Sequence, residues 1–94
     1  VSALIVSLEE AKLYLRLDGN EEDALIEGFI RTAEELCQNI LRFPIEEMTI
    51  IPETLKQAVL FGLVSLYEKR EDADMKSMID VMIRLIAPYR REEW

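Results

Sequence analysis

The stretch that most constrains this chain is 58–67, Ala-Val-Leu-Phe-Gly-Leu-Val-Ser-Leu-Tyr, which is apolar on nearly every side at helical spacing. A helix that is apolar all round is a buried helix. In a chain of 94 residues, its neighbours must cover every face. Either this helix is the centre of a bundle, or another subunit covers part of it. Pro52 suits the first helical position, where its missing N–H costs nothing. The run Glu68-Lys69-Arg70-Glu71-Asp72 carries the helix back into solvent. A helix is therefore expected over residues 52–70.

The segments around it read as helices too. Ser7-Leu8-Glu9-Glu10 is a capping box, in which the Ser7 hydroxyl accepts from the Glu10 N–H and the Glu10 carboxylate accepts from the Ser7 N–H. Leu8, Ala11 and Leu15 follow on one face, and Asp18-Gly19-Asn20 is turn chemistry, so the first helix is expected over 7–17. Asn20 looks like the cap of a second helix over 21–42, with Glu21, Glu22 and Asp23 set favourably against its dipole. Leu25, Ile26, Phe29, Ile30, Ala33, Leu36, Cys37, Ile40 and Leu41 form its broad apolar face. Gly28 inside it costs roughly 1 kcal/mol relative to Ala, which suggests close approach of another helix there. Residues 43–51 break the pattern, with a short extended piece possible at 48–51. Residues 73–76 read as a loop. Met78, Ile79, Met82, Ile83, Leu85 and Ile86 mark a fourth helix over 77–87, which Pro88 ends. The expected fold is all-α: a small bundle of about four helices in one domain, 1–94, with a short C-terminal tail, 88–94.

Composition excludes several functions. There is no histidine, so the commonest general base and transition-metal ligand is missing. Cys37 is the single cysteine and falls in helical phase with Leu36, Ile40 and Leu41, which makes it a buried structural thiol rather than a nucleophile. The acidic group Asp18, Glu21, Glu22 and Asp23 lacks the spacing of a calcium loop. No phosphate-binding or dinucleotide-binding glycine loop is present. No catalytic, cofactor or metal residue is expected. No stretch approaches the roughly 20 apolar residues of a membrane span. The apolar start, 1–6, has neither the basic flank nor the cleavage site of a secretory signal, so a cytoplasmic setting is the expectation.

The formal net charge is −8, which argues against a surface built to grip phosphates. Residues 1–67 carry −7 of it and residues 68–94 only −1. The last third therefore holds local basic spots at Arg84, Arg90 and Arg91. Pro88, Tyr89, Arg90, Arg91 and Trp94 give the tail the composition enriched at interface hot spots, and it reads as a docking segment.

Taken in order, several segments resemble one family. They are Ser-Leu-Glu-Glu-Ala-Lys (7–12), Leu-Arg-Leu-Asp-Gly (15–19), Glu-Asp-Ala-Leu-Ile (22–26), Ile-Pro-Glu-Thr-Leu-Lys-Gln-Ala-Val-Leu (51–60), Leu-Tyr-Glu-Lys-Arg-Glu (66–71) and Leu-Ile-Ala-Pro-Tyr-Arg-Arg (85–91). The set resembles the head-to-tail connector (adaptor) proteins of long-tailed double-stranded DNA bacteriophages and prophages. The matching residues are Leu8, Ala11, Leu15, Asp23, Ile26, Ala58, Leu66, Tyr67, Glu68 and Arg70, with Pro88, Tyr89 and Arg90 at the end.

The resemblance implies a non-enzymatic, all-helical virion protein. It implies self-association into a ring of about a dozen copies, with the portal protein above and stopper or tail-completion proteins below. DNA would pass through the channel without sequence-specific binding, and assembly would occur in the host bacterial cytoplasm. The connection at 43–51 is shorter than in longer members of that family. The rival readings are a small helical DNA-binding regulator, which the acidity of residues 8–41 disfavours, and an adaptor unrelated to virions that binds a partner helix.

Overall fold

A computed structural model describes residues 5–68 and 74–90. Four helices run in chain order: α1 (Leu8–Leu15), α2 (Asp23–Leu41), α3 (Glu53–Glu68) and α4 (Met75–Ile86). Short 3-10 turns lie at Ile45–Glu47 and Ala87–Tyr89. Among the described residues there is no strand, and the fold is a small all-α bundle.

α3 is the centre. It packs against α1, α2 and α4, and Leu55, Ala58, Val59, Leu60, Gly62 and Leu63 are buried along it. The covering is incomplete, because Phe61, Val64, Leu66 and Tyr67 are half-buried. α2 lies alongside α3 and contributes Ile26, Ile30, Ala33, Cys37 and Leu41 to the core, while α4 contributes Met78, Met82 and Ile86. α1 and α4 each pack against both α2 and α3. They occupy the two opposite furrows of that central pair.

The close helix approach is at Gly62, not at Gly28. A Cβ on Gly62 would stand 3.1 Å from the Ala33 Cβ and 3.2 Å from the Met82 Cε, whereas a Cβ on Gly28 would meet nothing within 4 Å. Gly62 lets α2, α3 and α4 converge. Gly28 faces away from any neighbour, which corrects the expectation drawn from its helical cost.

Helix ends differ from the sequence expectations for local reasons. α1 stops at Leu15, two residues early, because Arg16 turns left-handed at φ 61°. The Leu17 N–H then donates to the Lys12 carbonyl and the Arg16 N–H to the Leu13 carbonyl. This is the paired bonding of a Schellman ending, with arginine where glycine is usual. α2 ends at Leu41 with a simpler left-handed cap: Arg42, φ 69°, donates its N–H to the Gln38 carbonyl. Asn20 does not cap α2, because the helix begins three residues later at Asp23; its side chain instead accepts from Lys12 Nζ at 2.8 Å and joins α1 to the next turn. The residue at the N-terminal boundary of α2 is Glu22, which makes no side-chain cap bond.

Pro52 sits just before α3, its carbonyl accepting from the Leu55 N–H. α3 is described only to Glu68, and the expected residues 69–70 lie outside the described residues. α4 begins at Met75, inside the segment expected to be a loop. Asp74 caps it, its carboxylate accepting from the Ser77 N–H at 3.2 Å and from the Ser77 hydroxyl at 2.7 Å. α4 ends at Ile86, and Pro88 lies within the turn that follows it. The 43–51 connection contains a 3-10 turn and no extended strand.

Candidate functional site

The residues singled out in the sequence fall into two groups. Ala11, Ile26 and Ala58 are core positions with essentially no exposure. Leu8, Leu15 and Leu66 are half-buried and pack against that core. Asp23 pairs with Lys12 Nζ at 3.0 Å, which ties the start of α2 to α1. The Tyr67 hydroxyl donates to Glu22 at 2.5 Å across 45 positions of sequence and closes the end of α3 onto the start of α2. Glu68 is exposed at the end of α3. These residues build and latch the bundle. Pro88, Tyr89 and Arg90 form the second group, exposed together on the turn after α4, with Arg84 exposed one turn earlier. Arg70, Arg91 and Trp94 lie outside the described residues.

Cys37 is fully buried. Desolvation, followed by the charge of Glu34, pushes its thiol up to about 12. A thiol so far from ionisation is no nucleophile at neutral pH. Among the described residues, no group of three or more His, Cys, Asp or Glu is placed to hold a metal ion. No described helix is long and apolar enough to cross a membrane.

Sequence reasoning missed one concavity among the described residues. An open groove of about 640 Å³ lies where the second half of α2, the 45–47 turn and the start of α3 meet. Ile5, Ile45, Met48, Ile51 and Pro52 make it apolar, while Glu34, Glu46 and Glu53 make it acidic. Its one lysine, Lys56, is held by Glu10 at 2.5 Å. Two α2 side chains one turn apart shape its walls. Glu34 accepts from the Ile5 N–H at 2.6 Å, and Gln38 accepts from the Ile45 N–H at 2.9 Å.

Each of these bonds satisfies a backbone donor outside the four α-helices and pins its segment against α2. Desolvation raises the Glu34 pKa; the Ile5 N–H and then the Arg31 charge partly oppose the rise. Just beyond the groove, Ile50 is 79% exposed. The only sequence signal of this site was the pair Ile50-Ile51 standing apolar in a non-helical connection.

The model of the phage gp6-like head-tail connector proteins matches residues 5–89, and the chain belongs to that family. No curated protein and no solved structure matches the chain. The family is one of structural proteins of the phage virion, and a structural connector role between head and tail follows from membership.

Proposed function

We propose that this chain is one wedge of a ring that sits beneath the portal of a filled phage head, extends the DNA channel and offers the stopper and tail proteins a platform. The family match over residues 5–89 carries the reading. Two physical features support it. The central helix keeps Phe61, Val64, Leu66 and Tyr67 only half-buried, as suits a subunit that completes its burial in an oligomer. The net charge of −8 suits a wall that surrounds a duplex without holding it, since carboxylates repel phosphates and leave the DNA free to slide.

In this reading residues 1–94 act as one domain, and Pro88, Tyr89, Arg90, Arg91 and Trp94 are its docking segment. Its setting is the head-tail interface, reached by assembly in the host cytoplasm. The test is incubation of the purified chain with DNA-filled capsids whose portal is exposed. The chain is expected to cosediment and to appear as a ring of density at the portal vertex. A bare vertex after incubation at saturating excess rejects the connector reading. A lumen lined by Lys12, Arg31 or Arg42 rejects the sliding-wall argument alone.

A further inference from the structure

The acidic groove has no occupant within the described chain. None of residues 74–90 lines it, although the α4 end carries the features it lacks. Tyr89 is 41% exposed, and Arg84, Pro88 and Arg90 are exposed around it. The two features lie on different sides of the molecule. Ile5 and Lys56 place the groove on the α1 side of the α2–α3 pair, Lys56 through its bond to Glu10. The Ala87–Tyr89 turn packs on α4 and α2, in the opposite furrow.

We propose that the groove receives the C-terminal turn of a second copy of this chain. Tyr89 enters between Ile45, Met48 and Ile51, while Arg90 and Arg84 meet Glu46 and Glu53. The charges decide the choice of occupant. The groove sets three carboxylates against one lysine that is already paired, so it selects a cationic, aromatic segment. Residues 68–94 carry only −1 of the net charge, and Arg84 and Arg90 are exposed there beside Tyr89.

An aromatic side chain in an apolar slot, with arginines at its acidic rim, is the usual composition of an interface hot spot. The contact joins two different patches of the same protein. It is therefore heterologous, and repeating it side by side generates a ring when the rotation closes. The inference rests on the reading of the C-terminal segment as a docking segment. It assigns residues 88–90 to the neighbouring copy rather than to the portal.

The experiment measures self-association with no phage component present, by native mass spectrometry and sedimentation over a concentration series. Arg90→Glu and Tyr89→Ala are each expected to weaken self-association about tenfold or more, with helical content and thermal unfolding unchanged. Glu46→Lys is expected to weaken it similarly, and the double swap Glu46→Lys with Arg90→Glu to recover part of the loss. Mixing a Glu46→Cys chain with a Tyr89→Cys chain under mild oxidation is expected to yield the mixed disulfide dimer in excess over either homodimer. Self-association equal to wild type in Arg90→Glu and Tyr89→Ala, or the absence of the mixed dimer, overturns the proposal. So does a wild-type chain that stays monomeric at every concentration. Capsid binding is scored separately, so the connector reading can stand when this contact fails, and the reverse.

Discussion

The two furrows of the α2–α3 pair are filled by different physics. On one side α4 lays down Met78, Met82 and Ile86, all buried, and Gly62 lets its Met82 approach the pair closely. On the other side α1 buries only Ala11 within the helix. It is held by its capping box, by Lys12 bound to Asn20 and Asp23, and by Glu10 bound to Lys56. Apolar burial is non-directional and indifferent to pH, whereas partly exposed ion pairs are weaker and screened by salt. The α4 side is therefore the permanent part of the subunit. The α1 side is adjustable, and it is the side on which the groove opens.

The largest expected effect tests the α4 side. Gly62→Val is expected to destabilise by roughly 3 kcal/mol, because its methyls must displace Ala33 and Met82 from a close-packed site. Gly28→Ala should instead stabilise by about 1 kcal/mol, since a helix gains from Ala wherever the new methyl meets nothing. Urea unfolding with an unchanged denaturant slope reads both. If the two substitutions have the same sign, the convergence at Gly62 is wrong.

On the α1 side the expected effects are smaller. Ser7→Ala removes a cap bond, Glu10 N–H to Ser7 Oγ at 3.1 Å, and should cost about 1 kcal/mol. Its mark is faster amide exchange in α1, with α3 and α4 protected as before.

The smallest effect is the pH response. The Lys56 hydrogen bond and then the Ser7 N–H hold the Glu10 carboxyl below its ordinary value. Its contribution is therefore present above the ordinary glutamate range and is lost as pH falls through the depressed value. Glu10 likewise raises Lys56, whose contribution is full below the ordinary lysine value and disappears as pH rises through the raised one. Glu34 has the opposite sign to Glu10. Burial raises its pKa, so the cost of its charge is relieved on acidification. Glu34→Gln is therefore expected to make the acid loss of α1 steeper, as followed by α1 resonances in an NMR titration. An unchanged titration would remove Glu34 from the balance.

What the sequence revealed and what it hid follow from the range of each interaction. The Ser7–Glu10 box spans three positions and was legible as written. The apolar face of α2 and the centrality of α3 were legible because helical periodicity is a local property. Gly28 misled because sequence shows that a glycine costs helix but not which way it points. The informative glycine was Gly62, four residues after Ala58 on a helix already known to be buried. Asp74 carried a cap signal, but the charge run before it masked the boundary and made residues 73–76 look like a loop. Asn20 failed as a cap because α2 starts only at Asp23, and its side chain meets Lys12, eight positions away, instead. Beyond the apolar pair Ile50-Ile51, the groove could not be read. Its walls depend on Ile5 meeting Glu34 and on Ile45 meeting Gln38, and only folding brings those pairs together.

Cys37 offers a way to time the molecule. The thiol is wholly covered and pushed up to about 12, so a thiol reagent reaches it only while the core is open. The labelling rate of a free subunit then counts core openings, and the same rate in an assembled particle counts openings that neighbours have suppressed. The logarithm of the ratio is the stabilisation that assembly adds to each subunit. One native sulfur thus serves as a gauge of how tightly a subunit is held, without any label designed into the chain.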